Sequence, residues 1–108
     1  MEFQEAIKLA EELIERFKKI KGKPWTIEAS MLELEKQVGH LAHEIMVTEK
    51  YYPKVMQKEK IDKEKIEDEL GDILFSLMRI AKHYNINLEE AHLKASKCTD
   101  KFLKEQGA

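Results

Sequence analysis

Apolar residues recur every three or four positions through most of the chain, which is the spacing of an α-helix with one buried face. The first such segment begins near Glu2 and ends before the sequence KGKPW, where Gly22 and Pro24 interrupt the pattern. This pattern predicts an amphipathic first helix. Its apolar stripe contains Phe3, Ile7, Ala10, Ile14 and Phe17.

A second helix is predicted from Thr26 onwards. Thr26 is suited to cap a helix N-terminus, and Glu28 lies in the first turn, where the helix dipole favours a carboxylate. Pro53 should end this helix near Tyr52. The predicted apolar stripe consists of Leu34, Val38, Leu41 and Ile45, with Met31 and Ala42 beside it.

The stretch KVMQKEKIDKEK is charged and has little periodicity, so it predicts a solvated loop with room for a short helical turn. Asp62 is placed to cap a third helix, and Ile61 and Ile66 occupy the two positions of a hydrophobic staple. This helix has the longest apolar face of the chain. Its members are Ile66, Leu70, Ile73, Leu74, Leu77, Ile80, Ala81 and Tyr84.

Asn87 begins a fourth helical segment, and Glu90 three residues later makes a pair similar to a capping box. Four helices with almost no strand signals predict an all-α fold class, a four-helix bundle in a single domain over residues 1–108. Apolar faces of this size on a small chain also favour a homodimer or homotetramer. The fourth stripe contains Leu88, Ala91, Ala95, Cys98 and Phe102.

Composition narrows the class of protein. Lys+Arg total 19 and Asp+Glu total 21, a net charge of -2 that argues against nucleic acid and membrane surfaces as partners. Cys98 is the only cysteine, which excludes an intrachain disulfide and predicts a reducing cytoplasm. We expect Cys98 to be buried and inert on its apolar stripe. The acidic, amphipathic N-terminus predicts no signal peptide, and no apolar run approaches the roughly 18 residues of a membrane span.

Two carboxylates on the third helix are candidates for metal binding. Glu69 and Asp72 are three residues apart, which places them on one side of the helix. Mg²⁺ prefers such oxygen ligands together with substrate phosphates. An ordinary acidic first turn, favoured by the helix dipole, explains the same spacing.

The segment ELGDILFSLMRIAKHYNINLEEA resembles the second half of the MazG-type all-α nucleoside triphosphate pyrophosphohydrolases, and KPWT resembles the Pro-Trp sequence that precedes their second helix. The resemblance covers roughly residues 24–102. It implies a four-helix fold in which acidic residues bind Mg²⁺ and a nucleoside triphosphate is cleaved to a monophosphate and pyrophosphate. Glu69 and Asp72 match one acidic motif, and Lys94 matches a lysine near the phosphates.

The other acidic motif departs from the family pattern. Where the family has EEVGELAEAI, this chain has KQVGHLAHEI, so Lys36, Gln37 and His40 replace three glutamates. Gln37 is a weak Mg²⁺ ligand, whereas His40 suits Mn²⁺, Zn²⁺ or another transition metal. Gln37, His40 and Glu44 follow one helix face and, with Glu69 and Asp72, form the predicted ligand set. His43 is interpreted as a surface or groove histidine.

Three further residues are candidates for substrate binding. Lys94 would contact phosphates because it matches the family's lysine, and Lys101 is a candidate because it stands where the family often has an arginine. Trp25 would stack on a nucleobase, or it would anchor its loop on the bundle. Three functions remain open: a pyrophosphohydrolase with an altered metal site, an inactive relative that binds nucleotides or proteins without a required metal, and a structural helical protein.

Overall fold

A computed structural model gives the fold and describes residues 2–20, 22, 25–57 and 62–108. In this part of the chain there are four α-helices and no strand, which confirms the all-α prediction. None of the described helices is both long and apolar enough to cross a membrane. The helices are α1 (Phe3–Phe17), α2 (Ile27–Thr48), α3 (Lys63–His83) and α4 (Leu88–Glu105), with a 3₁₀ turn at Lys54–Met56.

Local capping chemistry starts three of the helices. The side chains of Thr26, Asp62 and Asn87 each accept a hydrogen bond of 3.1 Å from the backbone N–H three residues later. Each bond satisfies one of the donors that a helix N-terminus leaves open. The three predicted N-caps are therefore confirmed. The predicted staple involves Ile61, which lies outside the described residues.

Helix α2 ends at Thr48, four residues before the predicted end near Tyr52. Lys50 adopts a left-handed conformation with φ of 65°, and the Tyr51 N–H donates to the Met46 carbonyl over 3.0 Å. This is the hydrogen bond of a Schellman motif, which closes a helix by one left-handed residue. Pro53 therefore follows a helix that has already ended.

The core lies where α1 packs on α3. Ile7 and Ala10 of α1 and Met78 of α3 are buried together, and Leu88 at the start of α4 packs against them. Polar contacts support the same arrangement. Lys82 of α3 forms an ion pair with Glu15 of α1, and the Gln4 amide donates to Asn87 over 3.0 Å and to Glu89 over 3.1 Å.

The inner face of α2 is more polar than its apolar pattern predicts. Ser30 and Glu44 are buried together with Val47, whereas Val38 and Ile45 of the predicted stripe are 48% and 44% exposed. The prediction was wrong for these two residues because hydrogen bonds and an ion pair, described below, satisfy the polar side chains that face α3. The α2–α3 interface is therefore partly polar, and part of the apolar face of α2 points outward.

Helix α4 contributes no buried residue to the fold. Its stripe prediction fails at Cys98, which is exposed, because α4 lies against α1 mainly at its start and no other described helix covers the rest. The molecule is extended, with a radius of gyration of 17.6 Å against about 13 Å for a compact chain of this length. Large apolar side chains of α4 such as Phe102 are therefore left on the surface.

Candidate functional site

Helices α2 and α3 run antiparallel, and two cross-helix contacts set their register. The Ser76 hydroxyl donates to the Gln37 side-chain oxygen, and the Lys65 Nζ lies 3.4 Å from a Glu44 carboxylate oxygen. Gln37 and Ser76 are therefore level with each other along the helix pair. Because the two helices run in opposite directions, His40, which follows Gln37 by three residues, lies level with Asp72, which precedes Ser76 by four. The candidate residues of α2 and of α3 consequently lie along the same stretch of the helix pair, which we call the α2–α3 groove.

The two candidate metal ligands of α3 are both accessible to solvent. Asp72 is exposed and Glu69 is half-buried. Neither carboxylate makes a hydrogen bond or an ion pair with another residue in the described ranges, although other carboxylates of the chain do. Their three-residue spacing keeps them on one side of α3. They are therefore the candidate residues with the most freedom to bind a cation or a ligand.

The larger predicted ligand set is not assembled. Among residues 2–20, 22, 25–57 and 62–108, no three His, Cys, Asp or Glu side chains lie close enough together to hold a metal ion. His40 is exposed, and His43 is exposed with its ring 5.5 Å from that of Tyr52. The ligand roles of His40 and its neighbours stay predictions.

Gln37 is occupied by protein contacts. Its side-chain oxygen accepts from Ser76, which is only 1% exposed, and its Nε2 donates to Glu33 over 3.3 Å. A neutral amide can accept at one end and donate at the other, which a carboxylate cannot do. The glutamine therefore links α2 to α3 at a position where the family resemblance leads one to expect a charged ligand.

Glu44 is the most deeply buried acidic candidate, with 1% of its surface exposed. Its carboxylate is paired with Lys65, and it has a further interaction as well. A buried carboxylate requires such partners, because removing its charge from water is otherwise costly. Glu44 is thus held in a structural ion pair beside the level of Glu69.

Arg79 lies at the other end of the groove and was not among the predicted site residues. Its guanidinium carbon is 5.0 Å from the Trp25 ring centroid, 5.2 Å from that of Phe75 and 6.0 Å from that of Phe17. Burial against these rings lowers the pKa of Arg79, and the nearby Glu33 carboxylate opposes that shift. We call Arg79 with these three aromatic residues the aromatic box.

The sequence predicted Trp25 as a site residue, but it did not predict Arg79, which lies beside Trp25 in the structure. Arg79 follows Asp72 by seven residues, so it lies on the same side of α3 about two turns away. That spacing was the available signal. The identity of the surrounding rings could not be predicted, because they come from α1, from α3 and from the segment before α2. Trp25 itself is 55% exposed, so one side of this residue is accessible.

The predicted phosphate-binding lysines lie elsewhere on the molecule. Lys94 and Lys101 line a shallow surface depression on α4, together with Glu90, Leu93, Lys97 and Cys98. In the described part of the chain α4 packs against α1, while the α2–α3 groove is formed by the other two helices. One chain therefore does not bring these lysines together with Glu69 and Asp72.

Comparison with known proteins gives a similarity of limited extent. No protein-family model matches the chain. The chain is 41% identical over 64 residues to a Bacillus subtilis (strain 168) protein named "Uncharacterized protein YpjD". That match covers 59% of this chain and 55% of the Bacillus protein, so the chain spans about half the length of this relative.

Proposed function

We propose that the chain is a MazG-like nucleotide pyrophosphohydrolase with a weakened metal site. The observation that carries this proposal is the pair Glu69 and Asp72, which lie on one side of α3 and form no hydrogen bond or ion pair with another described residue. A groove that leads from these two carboxylates to an exposed tryptophan has ligands for the metal of a metal–triphosphate at one end and a stacking surface at the other.

The donor set fits one divalent cation better than two. Glu69 and Asp72 supply two hard oxygen ligands, which suits Mg²⁺ or Mn²⁺ with triphosphate oxygens in the remaining positions. When bound, the metal would neutralise phosphate charge and activate a water molecule. Gln37 and Glu44 are held by Ser76 and Lys65, so their position favours structural support over ligation.

The reaction follows from that binding mode. The α-phosphate would lie near the acidic pair, and water would add to its phosphorus atom. The bond from this phosphorus to the oxygen bridging the α- and β-phosphates would break, so that pyrophosphate leaves with that oxygen. The nucleoside monophosphate would keep the oxygen of water, and the proton would pass to solvent.

A second candidate is a catalytically inactive MazG-fold protein that binds a nucleotide or a protein. The cross-helix contacts of Gln37 and Glu44 favour it, because they give both residues a packing role that needs no metal. In this case the groove would retain ligand binding without turnover. Both candidates place the protein in a reducing cytoplasm, where the exposed Cys98 would stay a thiol.

The deciding experiment is an assay for monophosphate and pyrophosphate. The purified protein would be incubated with ribo- and deoxyribonucleoside triphosphates and with Mg²⁺, Mn²⁺, Co²⁺ or Zn²⁺ in separate reactions. We expect turnover with Mg²⁺ or Mn²⁺, and we expect Asp72→Ala to lower it at least about a hundredfold because half of the free ligand pair is lost.

Glu67→Ala is the matched control, since Glu67 is an exposed carboxylate on another side of the same helix. It should leave turnover within about twofold of the unmodified protein, in line with surface substitutions elsewhere. Equal loss in both variants would indicate a general effect of charge. No turnover with any metal, combined with nucleotide binding, would select the inactive alternative.

We further propose that the protein forms a homodimer or homotetramer. The extended shape and the uncovered stripe of α4 support a second copy as the partner that covers this apolar surface. Within one chain α4 lies against α1, so contact between Lys94 or Lys101 and bound phosphates would require the α4 of a second copy.

A further inference from the structure

Arg79 combines a fixed position with unused hydrogen-bonding groups. Three aromatic rings surround its guanidinium at 5.0 to 6.0 Å. Within the described ranges it forms neither a hydrogen bond nor an ion pair, and its interaction with Glu33 is one of charge alone. These cation–π contacts restrain the guanidinium, so its N–H groups are preorganised as a fork.

Such a fork selects ligands by the arrangement of their acceptors. An arginine donates two parallel hydrogen bonds to a pair of neighbouring acceptors, and of guanine and adenine only guanine offers that pair, as O6 and N7. Adenine presents N7 beside an amino group, which is a donor and opposes one N–H of the fork. The same oxygen–nitrogen pair occurs in hypoxanthine, the other common 6-oxopurine.

The position of the aromatic box suits the base of a nucleotide bound through its phosphates. Arg79 lies on the same side of α3 as Asp72, and seven residues of helix separate them by about 10 Å. Ser76 lies between them and is tied to Gln37, which keeps the intervening groove wall fixed. The exposed part of Trp25 supplies a stacking surface at the same end of the groove.

We propose that Arg79 is a specificity-determining residue that selects a 6-oxopurine base, with Trp25 as its stacking partner. The inference rests on the nucleotide binding proposed above, but it does not require hydrolysis. A base in this position would receive two hydrogen bonds from the guanidinium through O6 and N7. Its ring would lie beside the guanidinium in the same plane and stack on the exposed part of Trp25 that Arg79 leaves uncovered.

Trp25 provides the measurement, because it is the only tryptophan of the chain and its fluorescence reports on the aromatic box. The full chain would be titrated with non-hydrolysable α,β-methylene analogues of GTP, ITP, ATP, CTP and UTP at one fixed Mg²⁺ concentration. The triphosphate and metal are then constant, so differences in Kd come from the base. We expect GTP and ITP analogues to bind about tenfold tighter than the ATP analogue.

Arg79→Lys tests the fork, since lysine keeps the positive charge but lacks the paired donors. We expect this variant to bind all five analogues within about twofold of one another, while its affinity for the ATP analogue stays unchanged. Arg16→Lys is the matched control, because Arg16 is an exposed arginine of α1 outside the aromatic box, and it should retain the preference. Circular dichroism would verify that each variant is folded.

The inference would be overturned by the same Kd for all bases or by no change in Trp25 fluorescence. It would also be overturned by a 6-oxopurine preference that survives in folded Arg79→Lys. A preference for the CTP analogue that depends on Arg79 would also reject the 6-oxopurine assignment. Failure of the pyrophosphohydrolase proposal is separate: it would appear as absent pyrophosphate release, whatever the pattern of base binding.

Discussion

Gln37 uses both ends of its amide in protein contacts, and these contacts set the properties of the groove wall. It accepts from the buried Ser76 hydroxyl and donates to the Glu33 carboxylate. A glutamate in its place would still accept from Ser76, but it would face Glu33 with a like charge. Gln37 therefore satisfies both neighbours without adding a charge, and the contacts it makes between the helices do not depend on a metal.

The double variant Gln37→Glu, His40→Glu should exchange that neutral contact for a metal-dependent one. Without Mg²⁺ we expect it to lose about 1 kcal/mol of unfolding free energy, since a hydrogen bond is replaced by repulsion. Mg²⁺ should then raise its melting temperature by about 5 °C, because binding to the folded state stabilises it. Thermal unfolding with and without Mg²⁺ measures both effects.

Gln37→Met, His40→Met is the control for this change, since it removes the same polar groups without adding charge. It should lose stability, and its response to Mg²⁺ should be no larger than that of the unmodified protein. A folded double-glutamate variant whose Mg²⁺ affinity equals that of the unmodified protein would contradict the assignment of positions 37 and 40 as former metal ligands.

At the scale of elements, helix starts could be predicted from the sequence, whereas burial could not. The N-caps at Thr26, Asp62 and Asn87 depend on bonds over three residues, so local sequence determines them. Cys98 was expected to be buried because it lies on an apolar stripe, but burial depends on which other helix covers the stripe. The early end of α2 at Thr48 escaped prediction because a left-handed lysine has no sequence signal comparable to glycine.

The same distinction applies to the candidate site. Glu69 and Asp72 could be predicted because an i, i+3 pair on one helix is visible in the sequence. The aromatic box could not, since it requires α1, α3 and the segment before α2 to meet. The contacts of Gln37 and Glu44 also depend on the register of two helices that are separated in sequence.

The contact between α1 and α3 should make stability depend on pH in a defined direction. A hydrogen bond from Lys82, reinforced by one from Lys18, lowers the pKa of Glu15 below its ordinary value of 4.5. Because the folded-state pKa is lowered, the pair contributes its full stability above pH 4.5 and loses it as pH falls through the lowered pKa. Acid should therefore weaken the attachment of α1 to α3.

We expect Lys82→Met to reduce this pH dependence. Urea unfolding at pH 6 and at pH 3 would give the loss of stability on acidification, and that loss should be smaller in the variant than in the unmodified protein. Lys8→Met is the control, since Lys8 is an exposed lysine of α1 that forms no ion pair with another described residue. An identical pH dependence in Lys82→Met would show that the pair contributes nothing measurable.

At the scale of the whole molecule, many large apolar side chains of the described residues are exposed, which supports the proposed homo-oligomer. Ile7, Ala10, Ile14, Val47, Met78 and Ala81 are the buried apolar residues in the described part of the chain, whereas Phe102 is 58% exposed and Leu74 is 40% exposed. Exposed apolar surface of this extent is typical of a protein interface. Helix α4 is the clearest case. A helix in a protein gains most of its stability from the packing of its apolar face, and α4 buries no residue within one chain.

Phe102→Glu should therefore lower the oligomeric state. We expect sedimentation equilibrium to give a multiple of 12.7 kDa for the unmodified protein and a smaller multiple for this variant, because a charge replaces a large apolar side chain at the C-terminal end of the α4 stripe. Ser96→Glu adds the same charge to an exposed position on another side of α4 and should leave the mass unchanged. A monomeric unmodified protein would contradict assembly through this stripe.

The same two variants test whether the site needs a second copy. If Phe102→Glu is monomeric and loses nucleotide turnover, whereas Ser96→Glu keeps its oligomeric mass and its turnover, the site needs the second copy. This result is expected if the α4 lysines act across the interface.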